Sequence, residues 1–223
     1  MNVMLFSDNV PLETELALKK AAQKKGLLVM GPDCGTAIIN GAPIAFANAV
    51  SRGNIGVVAA SGTGLQEVTV LISNEGAGIS QAIGTGGRDV KLDIGAITLI
   101  QGLKMLAADP ATEVILIVSK PPHEAVLKKI LAEVKKIKKP VVAVLLGGEI
   151  KDKVKPDFYA AKTLEEAAYK AVCLGKGREI AKAREIIYDT NLKAAELAKK
   201  EAARKKKSRC LRGLFSGGTF VSE

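Results

Sequence analysis

Three segments of the 223-residue chain carry the residue types that hold anions. The first is Ser61-Gly62-Thr63-Gly64, which follows an apolar run over 55–60 and leads into Leu65, Val68, Leu71 and Ile72 at helical spacing. A glycine turn between a strand and a helix aims unpaired backbone amides and the positive helix end at one point. Ser61 or Thr63 can cap the helix or offer a hydroxyl. The helix end alone supplies ~0.3–2 kcal/mol, so a phosphoryl group needs further donors. The second segment, Gly84-Thr85-Gly86-Gly87-Arg88-Asp89, follows the next apolar run. Gly86 and Gly87 would let the backbone approach an anion, and Arg88 could reach it with a charge-assisted bond of about 1.5–3 kcal/mol. The third, Ser119-Lys120-Pro121-Pro122, would bring Lys120 to the same edge. These readings compete with plainer ones: Ser61 as a simple helix cap, Arg88 and Asp89 as a surface pair, and Lys120 as a solvated lysine.

Other chemistry is poorly supplied. His123 is the sole histidine, placed at a helix start after two prolines, where capping is the plainer role. Cys34 lies in the turn-rich Gly31-Pro32-Asp33-Cys34-Gly35, which suits a turn residue better than a nucleophile. Cys34, Cys173 and Cys210 are odd in number and far apart, with no CxxC, so no metal site is expected and reduced thiols are. The glycines after residue 83 do not complete GxGxxG and follow the wrong strand for a dinucleotide fingerprint.

Positioning these loops requires a parallel sheet. Val- and Ile-rich runs at 2–6, 27–30, 55–60, 79–83, 114–118 and 141–145, with a shorter one at 158–160, alternate with helical periodicity such as Val126, Ile130, Val134 and Ile137. Strand–helix repetition implies right-handed crossovers, and runs apolar throughout imply strands buried on both faces. The predicted organisation is the tail of a Rossmann-like domain with a helix over 12–25 and a crossing loop over 33–54 (1–54 in all), then a flavodoxin-like α/β domain over 55–175. A basic helical linker over 176–212 follows, and 213–223 begins a further domain, since Leu214-Phe215-Ser216-Gly217-Gly218-Thr219 imitates 59–64 with one extra glycine.

The net charge of +10 belongs to one place. Between Lys176 and Arg212 stand thirteen Lys/Arg against five acids, which reads as a solvated helix face and not as a nucleic-acid contact. The N-terminus has no signal-peptide pattern and no apolar stretch reaches bilayer length, so a cytoplasmic chain without membrane contact is expected.

The stretches 2–10, 26–36, 59–64, 83–89, 118–122 and 213–219 together resemble the FdrA family, a relation that extends over nearly the whole chain and matches the middle section of a protein about twice as long. That family is similar to the succinyl-CoA synthetase and ATP-citrate lyase superfamily. The resemblance implies a CoA-binding Rossmann domain followed by a ligase domain, a small-molecule substrate, and a homo-oligomer or partner subunits. It sets Phe6, Ser7 and Asp8 at a CoA-contacting strand end, although the glycine-rich CoA loop would lie upstream of this chain. It makes Ser61-Gly62-Thr63 the cradle of a phosphohistidine, yet 147–153, where that histidine is expected, contains none. What remains implied is an acyl-CoA-synthetase-like protein that binds a phosphoryl group or acyl phosphate without phosphohistidine. Carbamoyl phosphate, as in oxamate carbamoyltransferase, is the alternative ligand, and a non-catalytic assembly subunit the alternative role.

Overall fold

The computed structural model describes residues 1–148, 150, 154–204, 213–214 and 219. In chain order the elements are β1 (Val3–Met4), α1 (Leu12–Lys24), β2 (Val29–Met30), β3 (Thr36–Ile39), β4 (Ala42–Ala45), β5 (Arg52–Ala59), α2 (Gly62–Asn74), β6 (Ile79–Gly84), α3 (Ile97–Ala108), β7 (Val114–Ser119), α4 (Glu124–Val134), β8 (Val141–Leu145), β9 (Phe158–Ala161), α5 (Leu164–Gly175) and α6 (Ala181–Arg204).

Alternate residues of each central strand face opposite sides, and both sides are apolar because helices cover both. Val58, Ile115 and Ile117 pack with Leu99, Leu103 and Leu106 of α3 and with α4. Val57, Leu116 and Val118 pack with Leu65, Val68 and Ile72 of α2 and with α5. The strands pair in parallel in the order β6-β5-β7-β8-β9. Counted from β5, that is the 2-1-3-4-5 order of flavodoxin-like sheets, with the reversal of direction between β6 and β7 flanking β5. The fold class expected from the sequence is therefore present.

The segment 33–54 differs from the expected crossing loop. It folds into a hairpin, β3 and β4, joined at Asn40-Gly41 with φ of 51° and 81°. Positive φ at both central residues is what a two-residue hairpin turn needs, and Asn-Gly supplies it. Pairing of Ile38 with Ala82 joins the hairpin antiparallel to β6, so the main sheet is mixed and has seven strands among the described residues.

The first unit forms a separate two-stranded parallel sheet, β1 with β2, crossed by α1. The predicted strand at 2–6 has only its two-residue β1 in the ladder, and Phe6-Ser7-Asp8 follow it, with the Ser7 carbonyl accepting from the Asp33 amide. The predicted basic helix appears as α6; its residues from Tyr188 to Lys200 are exposed. Residues 205–212, and all of 213–223 except 213, 214 and 219, lie outside the described residues.

Candidate functional site

Where β5 ends, the Ala60 amide donates to the Val118 carbonyl at 3.0 Å and the Thr85 amide to the Ala59 carbonyl at 2.8 Å, which ties the carboxyl ends of β7 and β6 to it. Ser61 is extended (φ −149°, ψ 113°) and caps α2, its Oγ accepting from the Gly64 amide at 3.0 Å. The next two amides, of Gly62 and Thr63, belong to the first turn of α2 and so have no intrahelical carbonyl to donate to. A cleft of about 520 Å³ opens there. Among the described residues, a Cβ placed on Gly62 would meet nothing within 4 Å, so that residue borders open space there. A Cβ on Gly64 would lie 2.7 Å from Ser61 Oγ and 3.0 Å from Val118 Cγ1, so this glycine serves packing.

Of the residues singled out in the sequence, Phe6, Ser7, Asp8, Ser61, Gly62, Thr63, Gly87 and Lys120 line the cleft; Gly64, Gly86 and Arg88 do not. Gly86 has a φ of 84°, and a Cβ there would collide with the Pro32 carbonyl, so its glycine is demanded by backbone contact with the 31–33 turn.

Arg88 requires a correction. Its guanidinium turns to α1, with Nε 3.0 Å from Glu15 Oε2 and an Nη donating to the Val10 carbonyl at 2.8 Å. Neither does it pair with Asp89. The cause is a charge cluster sealed from solvent between α1 and the loop after β6. Lys19 Nζ lies 2.9 Å from Glu15 Oε1 and 2.7 Å from Asp89 Oδ1, with all three side chains fully buried. It also donates to the Thr85 carbonyl at 3.1 Å. Two buried carboxylates need two cations, and Arg88 is the second. Asp89 in turn accepts from the Thr98 and Leu99 amides at 3.1 and 2.8 Å, capping α3. Burial pushes the Asp89 carboxyl up, against the pull of Lys19 and those amides.

The cleft also contains residues that the sequence reading passed over: Asp33, Thr36, Phe46, Gln66 and Thr219. Asp33 has a φ of 58°, and its amide donates to the Ser7 carbonyl at 3.0 Å, joining the loop after β2 to the loop after β1. Partial desolvation, and then the neighbouring Asp8, raise the Asp33 carboxyl, with Arg88 opposing. Phe46 donates its amide to the Gly35 carbonyl at 2.8 Å, and its own carbonyl accepts from Gln66 Nε2 at 2.6 Å. Its ring meets Phe6 edge to face, centroids 5.3 Å apart and planes at 68°. Thr219 Oγ1 lies 2.6 Å from Ser61 Oγ and is buried. The likeness of 214–219 to 59–64 thus has one spatial counterpart among the described residues: the hydroxyl of the second copy meets the serine of the first.

His123 is away from the cleft wall and caps α4, its Nδ1 accepting from the Ala125 amide at 3.2 Å. The Cys34 thiol is buried against the Gly84 carbonyl at 3.4 Å, and desolvation pushes it up, away from nucleophilic ionisation.

Residues 50–147, spanning β5 to β8, match the CoA binding domain family. Over all 223 residues the chain is 47% identical to Uncharacterized protein YahF of Escherichia coli (strain K12), covering 42% of that protein. It is 27% identical over 148 residues to Succinate--CoA ligase [ADP-forming] subunit alpha 1 of Archaeoglobus fulgidus, covering 65% of this chain and 49% of the relative. The chain thus spans less than half the length of both relatives. Among solved structures, the dinucleotide-forming acetyl-coenzyme A synthetase 1 of Ca. Korarchaeum cryptofilum superposes with a TM-score of 0.59 at 19% identity, over 78% of this chain and 43% of that one. The ATP citrate lyase of Methanosaeta concilii in complex with (3S)-citryl-CoA superposes with a TM-score of 0.55 at 17% identity, over 99% of this chain and 39% of that one. The sequence matches support the succinyl-CoA synthetase-like superfamily, and the superpositions agree with its fold.

Proposed function

We propose that this chain is the anion-holding part of an acyl-CoA ligase-like protein of the FdrA type, binding the phosphoryl group of an acyl or carbamoyl phosphate at the mouth of α2. Its carrying observation is the open space at Gly62 among the described residues, at the first turn of α2 and in one cleft with Lys120. Amides fixed by a folded helix end need no reorganisation when charge gathers on a phosphoryl oxygen, and Lys120 adds a full positive charge. In transfer to the thiol of CoA, the acyl carbon would exchange its bond to phosphate oxygen for one to sulfur, and phosphate would depart into the amide mouth with the thiol's proton. The CoA binding domain match supports the thiol partner. With His123 engaged as a helix cap and no second histidine in the chain, no covalent histidine step is assigned to its residues.

Calorimetry of the chain with inorganic phosphate, acetyl phosphate, carbamoyl phosphate and CoA in turn tests this reading. Gly62→Ala should fill the open space without touching the described protein atoms, so folding stability should hold or rise by ~0.4–1 kcal/mol while phosphate affinity falls about tenfold. A parent chain that binds no phosphate, or a Gly62→Ala chain that binds it equally well, would overturn the proposal.

A further inference from the structure

The strand order gives the cleft two unlike ends. Lys120 follows β7 on one side of the α2 mouth. The β3–β4 hairpin lies on the other side, beyond β6, and contributes Gly35 and Phe46. Over that second end come Phe6 and Asp8 from the loop after β1 and Asp33 from the loop after β2, joined by the bond from the Asp33 amide to Ser7. The ring pair is 59% and 64% exposed, an unusual state for two phenylalanines held in a fixed edge-to-face contact. A Cβ on Gly35 would lie 3.2 Å from the Phe46 ring and 3.4 Å from Phe6, so the absence of a side chain there leaves the rings room. Beside them stand two carboxylates that already repel one another. Arg88 pairs with Glu15 and only partly offsets Asp33 from there.

Resting on the phosphoryl reading above, we infer that the cleft selects substrates with one anionic head and an uncharged, partly apolar tail, and that Asp8 and Asp33 reject a second carboxylate or sulfonate at the tail. The head sits at the amides and Lys120, where positive potential concentrates. The tail covers the exposed rings, which gain from losing water, and any N–H or O–H it carries finds carboxylate acceptors. A dicarboxylic acyl group would have to place its second charge beside like charges, which costs affinity without any steric clash. The two acids are therefore specificity-determining residues for a class narrower than that of the succinate-CoA ligase relative, whose named substrate carries two carboxylates.

The test uses the full chain and stable phosphonates of matched length: propylphosphonate with an apolar tail, 3-phosphonopropionate with a charged one, and inorganic phosphate as the head alone. Propylphosphonate should bind at least about tenfold more tightly than 3-phosphonopropionate. In Asp8→Asn/Asp33→Asn that gap should close, chiefly through tighter 3-phosphonopropionate binding, a gain that mere damage to the cleft does not produce. Phe46→Ala should weaken propylphosphonate and leave inorganic phosphate unchanged. Equal affinity of the parent for the two tailed probes, or a gap that survives the double substitution, overturns the inference while phosphate binding still upholds the proposed function. No binding of inorganic phosphate overturns both.

Discussion

Replacing Lys19 by Met tests whether the first unit and the ligand-facing loops are one cooperative structure. The ammonium is fully buried and touches Glu15, Asp89 and the Thr85 carbonyl at 2.9, 2.7 and 3.1 Å. Methionine nearly conserves the volume, so the loss is electrostatic. Glu15 keeps Arg88, but among the described residues Asp89 keeps its two backbone amides and becomes a sealed carboxylate without a cation. Breaking a buried pair from one side costs ~3–5 kcal/mol, which for a domain of this size lowers the melting temperature by about 6–20 °C. The chain has no tryptophan, so urea unfolding is best followed by far-ultraviolet circular dichroism. The deficit should depend on pH with a definite sign. The folded Asp89 carboxyl is already raised by burial, and losing Lys19 raises it further. The variant's penalty is therefore smallest below the unfolded carboxylate value of ~3.9 and grows as the pH rises through the folded value. Lys19→Met/Asp89→Asn should recover part of the loss, because it removes the orphaned charge. A single-variant cost below ~1 kcal/mol, or a double variant no better than the sum of its parts, would refute the cluster as the joint between α1 and the site.

Two further outcomes follow from the same geometry. Gly64→Ala should destabilise by roughly 1–3 kcal/mol in thermal unfolding, because the added methyl displaces the Ser61 cap and crowds Val118, whereas Gly62→Ala should not; equal effects at both positions would count against the packing described. Asp33→Asn keeps a residue tolerant of positive φ and removes a carboxyl whose folded value is raised, so the gain over the parent should be absent below the unfolded value and emerge as pH rises through the folded one; chemical denaturation across that window checks it.

What could be read in advance was what repeats or is local. Val57 and Val58 face opposite helical layers, so an uninterrupted apolar run correctly signalled a strand covered on both sides, and the flavodoxin-like order followed from the strand–helix alternation. Ser61 was legible both as a cap and as a cleft residue, and it is both. The Asn40-Gly41 hairpin carries a strong local turn signal, but it pairs antiparallel at the edge of an otherwise parallel sheet, against the strand–helix repeat that surrounds it. Arg88 misled for a different reason. Loop position predicts which edge a side chain starts from, but its direction was set by Glu15, a buried acid 73 positions earlier whose burial no local pattern reveals. Asp33, Phe46 and Thr219 escaped similarly, since each enters the cleft through a long-range contact, with Ser7, Gln66 and Ser61 respectively.

The diverted arginine changes what the cleft can be. With Arg88 on the wall, its charge would offset one of the two carboxylates, Asp8 and Asp33, at that end of the cleft. With Arg88 committed to Glu15, the positive charge withdraws to Lys120 and the α2 amides, and the hairpin side keeps its acids beside the exposed rings. The buried cluster thus acts twice: it fixes α1 to the loop that walls the cleft, and it turns the Arg88 guanidinium from the cleft wall to Glu15, from where it offsets Asp33 only in part. Restoring the cation locally, as in Gly87→Arg, would place it where Gly87 faces Asp33, with a Cβ 3.5 Å from Oδ2. Such a variant should bind 3-phosphonopropionate more tightly than the parent while leaving the Glu15–Arg88 pair and thermal stability intact. Unchanged affinity for that probe would mean that the withheld charge does not govern selectivity.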